Sequence, residues 1–218
     1  MVTQNKSQNS LELTINNGIS REVKNVNEEQ IIDLKKGNIV IKLINIQGLS
    51  QVKASEVEDT LDDFTLFCLT ETKQKCQNKR FKDDSECITS VRDRGDTEGG
   101  DIMILYKKKF FQLEKQSNSN CDILHAKCKV FELYFHLIVT YFDTIDYNRN
   151  FRLKANITGI SEKCSDSPVV LLGDFNGHLG FIGKQTLDKT GNIVLDIAEK
   201  YNMVILNGDP LCDGDNLE

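Results

Sequence analysis

Apolar and polar positions follow two rhythms along this chain. From Gly37 onward, Ile39, Val40, Ile41, Lys42, Leu43, Ile44, Asn45 and Ile46 form a β-branched run that ends at Gly48, which predicts a strand. Ser50 stands where a helix N-cap would, and Ala54, Val57, Leu61 and Phe64 follow at helical spacing as one apolar stripe. Thr65 to Thr70 reads as a second strand, with Glu71 directly after it. Residues 72–84 are polar loop, and Glu86 to Arg92 is a short strand. Gly99-Gly100 opens a strand from Asp101 to Tyr106 that ends in Lys107, Lys108 and Lys109. Phe110 to Glu114 and Ile123 to Lys129 are further strands. Phe131, Leu133, Phe135, Leu137, Val139 and Tyr141 alternate with more polar neighbours, the period of a half-buried strand in an antiparallel sheet. Leu153, Ile157, Ile160 and Cys164 give a helical stripe, and Val169 to Leu172 an apolar strand closed by Gly173. Thr190 can cap a last helix carrying Ile193, Val194, Ile197, Ala198 and Tyr201, before a final strand from Met203 to Leu206.

The order is β-α-β, a meander of strands, then two α-β units. Strand runs mixed with covering helices predict an α/β (α+β) layered sandwich and exclude a TIM barrel and a helical bundle. Residues 1–36 are rich in Asn, Gln, Ser, Lys and Glu and read as a polar N-terminal tail, largely disordered, with one hairpin or helical turn at its apolar patches. The folded domain is expected over 37–218.

Composition adds exclusions. No apolar run approaches the ~20 residues of a membrane span, and the N-terminus has no hydrophobic signal core, so an intracellular, soluble protein with no membrane contact is expected. The seven cysteines are odd in number and form no C-x-x-C, which fits reduced thiols acting as small buried hydrophobes. The net charge of −6 argues against nucleic-acid binding by overall electrostatics and requires a local basic surface for any such contact. Lys107 to Lys109, Arg92 and Arg94 could form one, or could simply be a solvated face.

Polar residues close several apolar strands. Asn45 keeps parity with Ile41 and Leu43, Glu71 with Phe67 and Leu69, and Asp174 and Asn176 with Val170 and Leu172, leaving Phe175 on the other face. Ligand sites in layered α/β proteins collect beyond strand ends, and a hard cation such as Mg²⁺ takes a few oxygen ligands and keeps several waters. Glu71 and Asn45 supply such oxygens, with Asp174 and Asn176 as an orienting carboxylate and a neutral donor. Each also has a plain reading: an Asx turn for Gly-Asp-Phe-Asn-Gly, a solvated strand end for Glu71, a bulge or turn for Asn45.

In combination these segments carry a resemblance. Ile44-Asn45-Ile46-Gln47-Gly48-Leu49, Cys68-Leu69-Thr70-Glu71-Thr72, Gly99-Gly100-Asp101-Ile102-Met103-Ile104-Leu105 and Leu172-Gly173-Asp174-Phe175-Asn176-Gly177-His178 stand in the order of the endonuclease/exonuclease/phosphatase superfamily. Gly191-Asn192 and the later Val204-Ile205-Leu206-Asn207 resemble its subgroup that precedes reverse transcriptase in non-LTR retrotransposons. The resemblance covers about residues 38–212. It implies a four-layer sandwich, two mixed β-sheets face to face with helices outside, and metal-assisted phosphodiester hydrolysis on DNA. It implies Mg²⁺, with Mn²⁺ as a substitute, held by Glu71 and Asn45. Asp174 would orient the attacking water, Asn176 would stabilise the charge of the transition state, and Tyr141 would contact phosphate, its plain alternative being core packing. His178 is implied to be a supporting loop residue rather than the general base, and His125 and His136 read as ordinary strand residues, His136 on a polar face without a partner.

The family pattern also contains an aspartate-bearing strand and a terminal Ser-Asp-His with the general base, and no Ser-Asp-His occurs here. The expectation is therefore a sandwich incomplete at the C-terminus, with impaired or absent hydrolysis, and a reverse transcriptase module in a longer parent polypeptide. The competing readings are a phosphatase or phosphodiesterase of the same superfamily acting on other phosphates, and a non-enzymatic remnant. Oligomeric state has no signature in the sequence.

Overall fold

The computed structural model describes residues 2–7, 10–15, 39–73, 81–91, 101–164, 167–180 and 186–205. Ten strands and three helices lie in these residues: β1 (Val2–Ser7), β2 (Ser10–Ile15), β3 (Ile39–Asn45), α1 (Gln51–Asp59), β4 (Thr65–Thr70), β5 (Ser85–Ser90), β6 (Ile102–Lys107), β7 (Phe111–Lys115), β8 (Ile123–Val130), β9 (Leu133–Tyr141), α2 (Tyr147–Ser161), β10 (Val169–Asp174) and α3 (Lys189–Lys200). The first sheet has the order β1-β2-β3-β4-β6-β5, the second β10-β9-β8-β7. Both are mixed, and each contains one parallel pair, β3 with β4 and β10 with β9.

Three apolar clusters define four layers. Ile39, Ile41, Leu66, Cys68, Ile104, Ala126, Leu137, Val139 and Leu172 fill the space between the sheets. Ala54, Val57, Phe67, Leu69, Met103 and Leu105 join α1 to the outer face of the first sheet. Ile138, Phe142, Leu153, Ile157, Ile193 and Ile197 join α2 and α3 to the outer face of the second. The architecture is the layered α/β sandwich that the strand and helix order predicts, and its two mixed sheets with outer helices are those the resemblance implies.

Three local boundaries differ from the sequence reading. Ser50 does cap α1, its hydroxyl accepting from the Lys53 amide at 3.1 Å, but the helix stops at Thr60. Phe64 therefore leaves the helical stripe and packs its ring on Phe110 and Phe131. Asp188, not Thr190, caps α3, because its carboxylate accepts from the Gly191 amide at 2.6 Å and from the His178 amide at 3.0 Å. Residues 203–205 are not a strand, and Leu206 onward lies outside the described residues.

The N-terminal segment, read as largely disordered, includes an antiparallel β1–β2 hairpin whose second strand pairs with β3 from Ser10↔Ile44 to Ile15↔Ile39. The remainder of 1–36, Arg92, Arg94 and Gly99-Gly100 lie outside the described residues.

Candidate functional site

Both parallel pairs end at the same rim of the sandwich. Asn45 is the last residue of β3 and Asp174 the last of β10, in register with Thr70 and Tyr141 respectively. Strict alternation puts Asn45 on the side of Ile41 and Leu43, and Asp174 on the side of Val170 and Leu172, so both face the space between the sheets.

Glu71 reaches that space differently. Phe67 and Leu69, which share its parity, pack toward α1 and not toward the second sheet. Glu71 is the first residue beyond β4 and has φ +53°, a left-handed conformation uncommon for a non-glycine residue. The break in alternation brings its carboxylate to Asn45. Period-2 geometry alone would aim Glu71 at the helix, with Phe67 and Leu69.

The three side chains meet. Asn45 Nδ2 donates to Glu71 Oε1 at 2.9 Å and to Asp174 Oδ2 at 2.7 Å, so one amide bridges two carboxylates from opposite sheets. Its Oδ1 accepts from the Gln47 amide at 3.2 Å. Tyr141 is buried at 7% exposure and its hydroxyl faces Glu71. Burial, then the Glu71 charge and hydrogen bond, push the phenol well above its ordinary range, so Tyr141 is a proton donor at neutral pH. Burial raises the Asp174 carboxyl first, and the Glu71 charge raises it further, against the lowering effect of hydrogen bonds from Asn45 and the Asn176 backbone. The one ion pair to Glu71 among the described residues is Lys73 at 3.5 Å, on a half-exposed side chain.

Close backbone approach makes this rim. A Cβ on Gly173 would lie 2.2 Å from the Thr140 carbonyl oxygen, so glycine is what lets β10 lie against β9 immediately before Asp174. Asn176 also has a left-handed backbone, φ +47°, and its side-chain amide donates to the Phe142 carbonyl at 2.8 Å. It thereby ties the loop after β10 to the end of β9. Phe175 turns the other way onto Phe142.

Two expected features lie elsewhere. His178 is exposed, and its backbone, rather than its ring, is engaged at the start of α3. No imidazole contacts Glu71, Asp174 or Tyr141 among the described residues. Lys107 ends β6 and Lys108 and Lys109 follow it, at the far end from Ile102, which lies beside Thr70. Lys107 is paired with Asp84 at 2.6 Å. The triple lysine therefore sits at the opposite rim from the carboxylates.

The sequence reading missed a second polar cluster. His136 is buried, not on a polar face, and its Nδ1 lies 2.9 Å from His125 Nε2. Cys164 Sγ lies 3.7 Å from the same nitrogen, and the ligand atoms of all three residues fall within 4.8 Å of one another, a grouping able to hold a metal ion. Burial, and secondarily His136, lower His125 to about 4, so it is neutral at physiological pH. Period 2 puts His136 with Ile138, and in a four-layer sandwich that face is covered by helices.

No protein-family profile matches the chain, and no curated protein sequence matches it. Among solved structures, the chain is similar to the endonuclease domain of TRAS1, a telomere-specific non-LTR retrotransposon, with a TM-score of 0.56 at 11% identity over 74% of this chain and 69% of that one. A mannosyl-6-phosphatase of Bacteroides thetaiotaomicron gives 0.49 at 15% identity over 72% and 69%. An endonuclease/exonuclease/phosphatase family protein from the same organism gives 0.46 at 16% over 72% and 67%. The likeness to the TRAS1 domain, at 11% identity, is one of fold: the same layered sandwich of two sheets with helices outside.

Proposed function

We propose that on this fold the chain is a metal-dependent phosphodiester hydrolase that nicks DNA, of the type found in retroelement endonucleases. The observation that carries the reading is the Glu71–Asn45–Asp174 bridge. Two part-buried carboxylates from different sheets converge on one neutral amide, and a single half-exposed lysine is nearby. Among the described residues the two carboxylates are met by one cation, Lys73, and carboxylate and amide oxygens are the donor set of a hard divalent cation. Thr70, in register with Asn45, adds a buried hydroxyl without a partner among the described residues. The donor types fit Mg²⁺, or Mn²⁺ in its place, with Glu71 as a protein ligand and the Asn45 carbonyl as a second once its amide, whose Nδ2 now faces Glu71 and Asp174, turns over.

When bound, the cation would neutralise charge developing on phosphate oxygens. The chain's own groups would do the rest. Asp174 would accept a hydrogen bond from the attacking water and fix its direction. Tyr141, held as a phenol, would donate to a nonbridging oxygen. Asn176 has one amide hydrogen committed to Phe142 and would offer the other. A general base typically contributes ~10²–10⁴-fold, and none of the described imidazoles is positioned for that task, so slow turnover is expected. Support for DNA, and for a linked reverse transcriptase module in a longer parent, comes from the motif order and the likeness to the TRAS1 domain.

Two measurements test this separately. Mn²⁺ should bind the purified chain by calorimetry, with affinity reduced at least tenfold in Glu71→Gln. Supercoiled plasmid in Mg²⁺ should be nicked slowly, with the rate cut about 10²-fold in the same variant. Absence of cation binding defeats the metal site. Hydrolysis of a simple phosphomonoester without plasmid nicking replaces DNA with another phosphate substrate.

A further inference from the structure

We propose that His125, His136 and Cys164 form a second metal site, specific for Zn²⁺, that braces the second sheet against its helices. The site is distinct from the carboxylate rim in place and in chemistry. Tyr141 and His136 are five residues apart on β9, about 16 Å along an extended strand. The rim offers oxygen donors, whereas this cluster offers two imidazole nitrogens and a sulfur, the ligand set of zinc rather than magnesium.

The geometry supports a shared ion. The Nδ1 of His125 lies 2.9 Å from Asn118 Oδ1, which can only accept, so that nitrogen carries the proton and Nε2 presents a lone pair. A hydrogen bond of this kind to the far nitrogen is the usual support of a metal-bound histidine. Tetrahedral zinc with bonds of about 2.0 Å to nitrogen and 2.3 Å to sulfur needs nitrogens roughly 3.3 Å apart and sulfur roughly 3.6 Å from nitrogen. The corresponding separations are 2.9 and 3.7 Å. The third, from Cys164 sulfur to His136, falls within 4.8 Å, so the ion is admitted when the two rings part by a few tenths of an ångström and the thiol closes on His136 to about 3.6 Å. Binding would release the Cys164 thiol proton to solvent and leave the fourth position to water.

The three ligands come from separate segments. His125 is on β8, His136 on β9, and Cys164 follows α2 on the way to β10. Zinc would fasten the connection leading into β10 at one end, while Asp174 closes the same strand at the other. The plain alternative is a hydrogen-bonded chain from Asn118 through both rings to the thiol, which needs no ion.

Cobalt(II) separates the two. The reduced, chelator-treated full chain is titrated with Co²⁺ in excess Mg²⁺. The proposal expects one equivalent to give a thiolate-to-cobalt charge-transfer band and intense tetrahedral d–d bands, both removed by Zn²⁺. Cys164→Ser should abolish the charge-transfer band, His136→Asn should weaken binding at least tenfold, and Cys87→Ser should change nothing. Glu71→Gln should leave the spectrum intact, so this result stands or falls apart from hydrolysis. Should the core variants not fold, the wild-type chain still decides. Zn²⁺ should slow alkylation of Cys164 in mild denaturant at least tenfold relative to Cys87, mapped by mass spectrometry. Absence of a charge-transfer band, its persistence in Cys164→Ser, or unchanged alkylation overturns the site.

Discussion

At the scale of single residues, the rim depends on positions where ordinary backbone rules are suspended. Glu71 and Asn176 hold left-handed φ values of +53° and +47°, and strained residues of this kind gather where a structure must aim a side chain. Gly173 is the third such position, for want of space rather than for its φ. Its missing Cβ would meet the Thr140 carbonyl oxygen at 2.2 Å and the Thr140 methyl at 2.7 Å, in the strand pair that carries Asp174. Gly173→Ala should therefore destabilise the chain by about 1–3 kcal/mol, as overpacking of a close contact does. It should also weaken Mn²⁺ binding by displacing Asp174 relative to Asn45. Urea unfolding and Mn²⁺ calorimetry on the same variant check both, and a variant with unchanged stability would show that β10 does not lie this close to β9.

At the scale of elements, the segment joining β9 to α2 is held by a clasp. Arg149 donates through Nε to Asp122 Oδ2 at 2.8 Å, through a second nitrogen to Asp122 Oδ1, and through Nη1 to Asp143 Oδ2 at 3.0 Å. Asn150, fully buried, accepts from the Asp143 amide and donates to the Asp143 carbonyl. The Asp122 carbonyl in turn accepts from the Tyr141 amide and the Thr140 hydroxyl, so the clasp reaches the rim. Removing one partner of a buried pair strands the other charge, and Arg149→Ala should cost about 3 kcal/mol. Arg149→Lys should recover only part, since an ammonium cannot reproduce the two-pronged contact. Thermal melts of the two variants measure this, and equal loss in both would reduce the fork to simple charge.

Elements are also where the sequence was most and least informative. Parity along β3 and β10 was enough to point Asn45 and Asp174 between the sheets, because a side-chain period of two leaves no choice of face. The β9 run was also visible as a strand. Its polar positions were misjudged because a half-buried antiparallel strand leaves one face wet, whereas β9 lies inside a mixed sheet between two apolar clusters. His125 and His136 became neighbours only through the β8–β9 register, which pairs His125 with Ile138 and Lys127 with His136 and sets the two rings on a diagonal. No periodicity within either strand encodes that register, and Cys164 arrives from beyond α2.

At the scale of the whole molecule, protons held in the interior set a pH limit. Cys68 and Cys128 face one another's cluster between the sheets, and burial pushes both thiols well above their ordinary value of 9.0, with Cys128 adding to the effect on Cys68. Tyr106 is raised by burial and by Glu86, and Tyr141 by burial and by Glu71. All four bind their protons more tightly folded than unfolded. Their contribution is therefore complete at pH values below the unfolded values near 9 and 10, and is lost as pH climbs above them. Each buried thiol should remove about 1.4 kcal/mol of stability per pH unit on this limb. Urea midpoints measured from pH 8 to pH 10.5 should stay level at first and then fall. Cys128→Ala, although less stable at pH 8 because of the space it leaves, should fall less steeply by one thiol's share. A midpoint that stays level to pH 10.5 would mean that these groups ionise in place, and hence that water reaches the space between the two sheets.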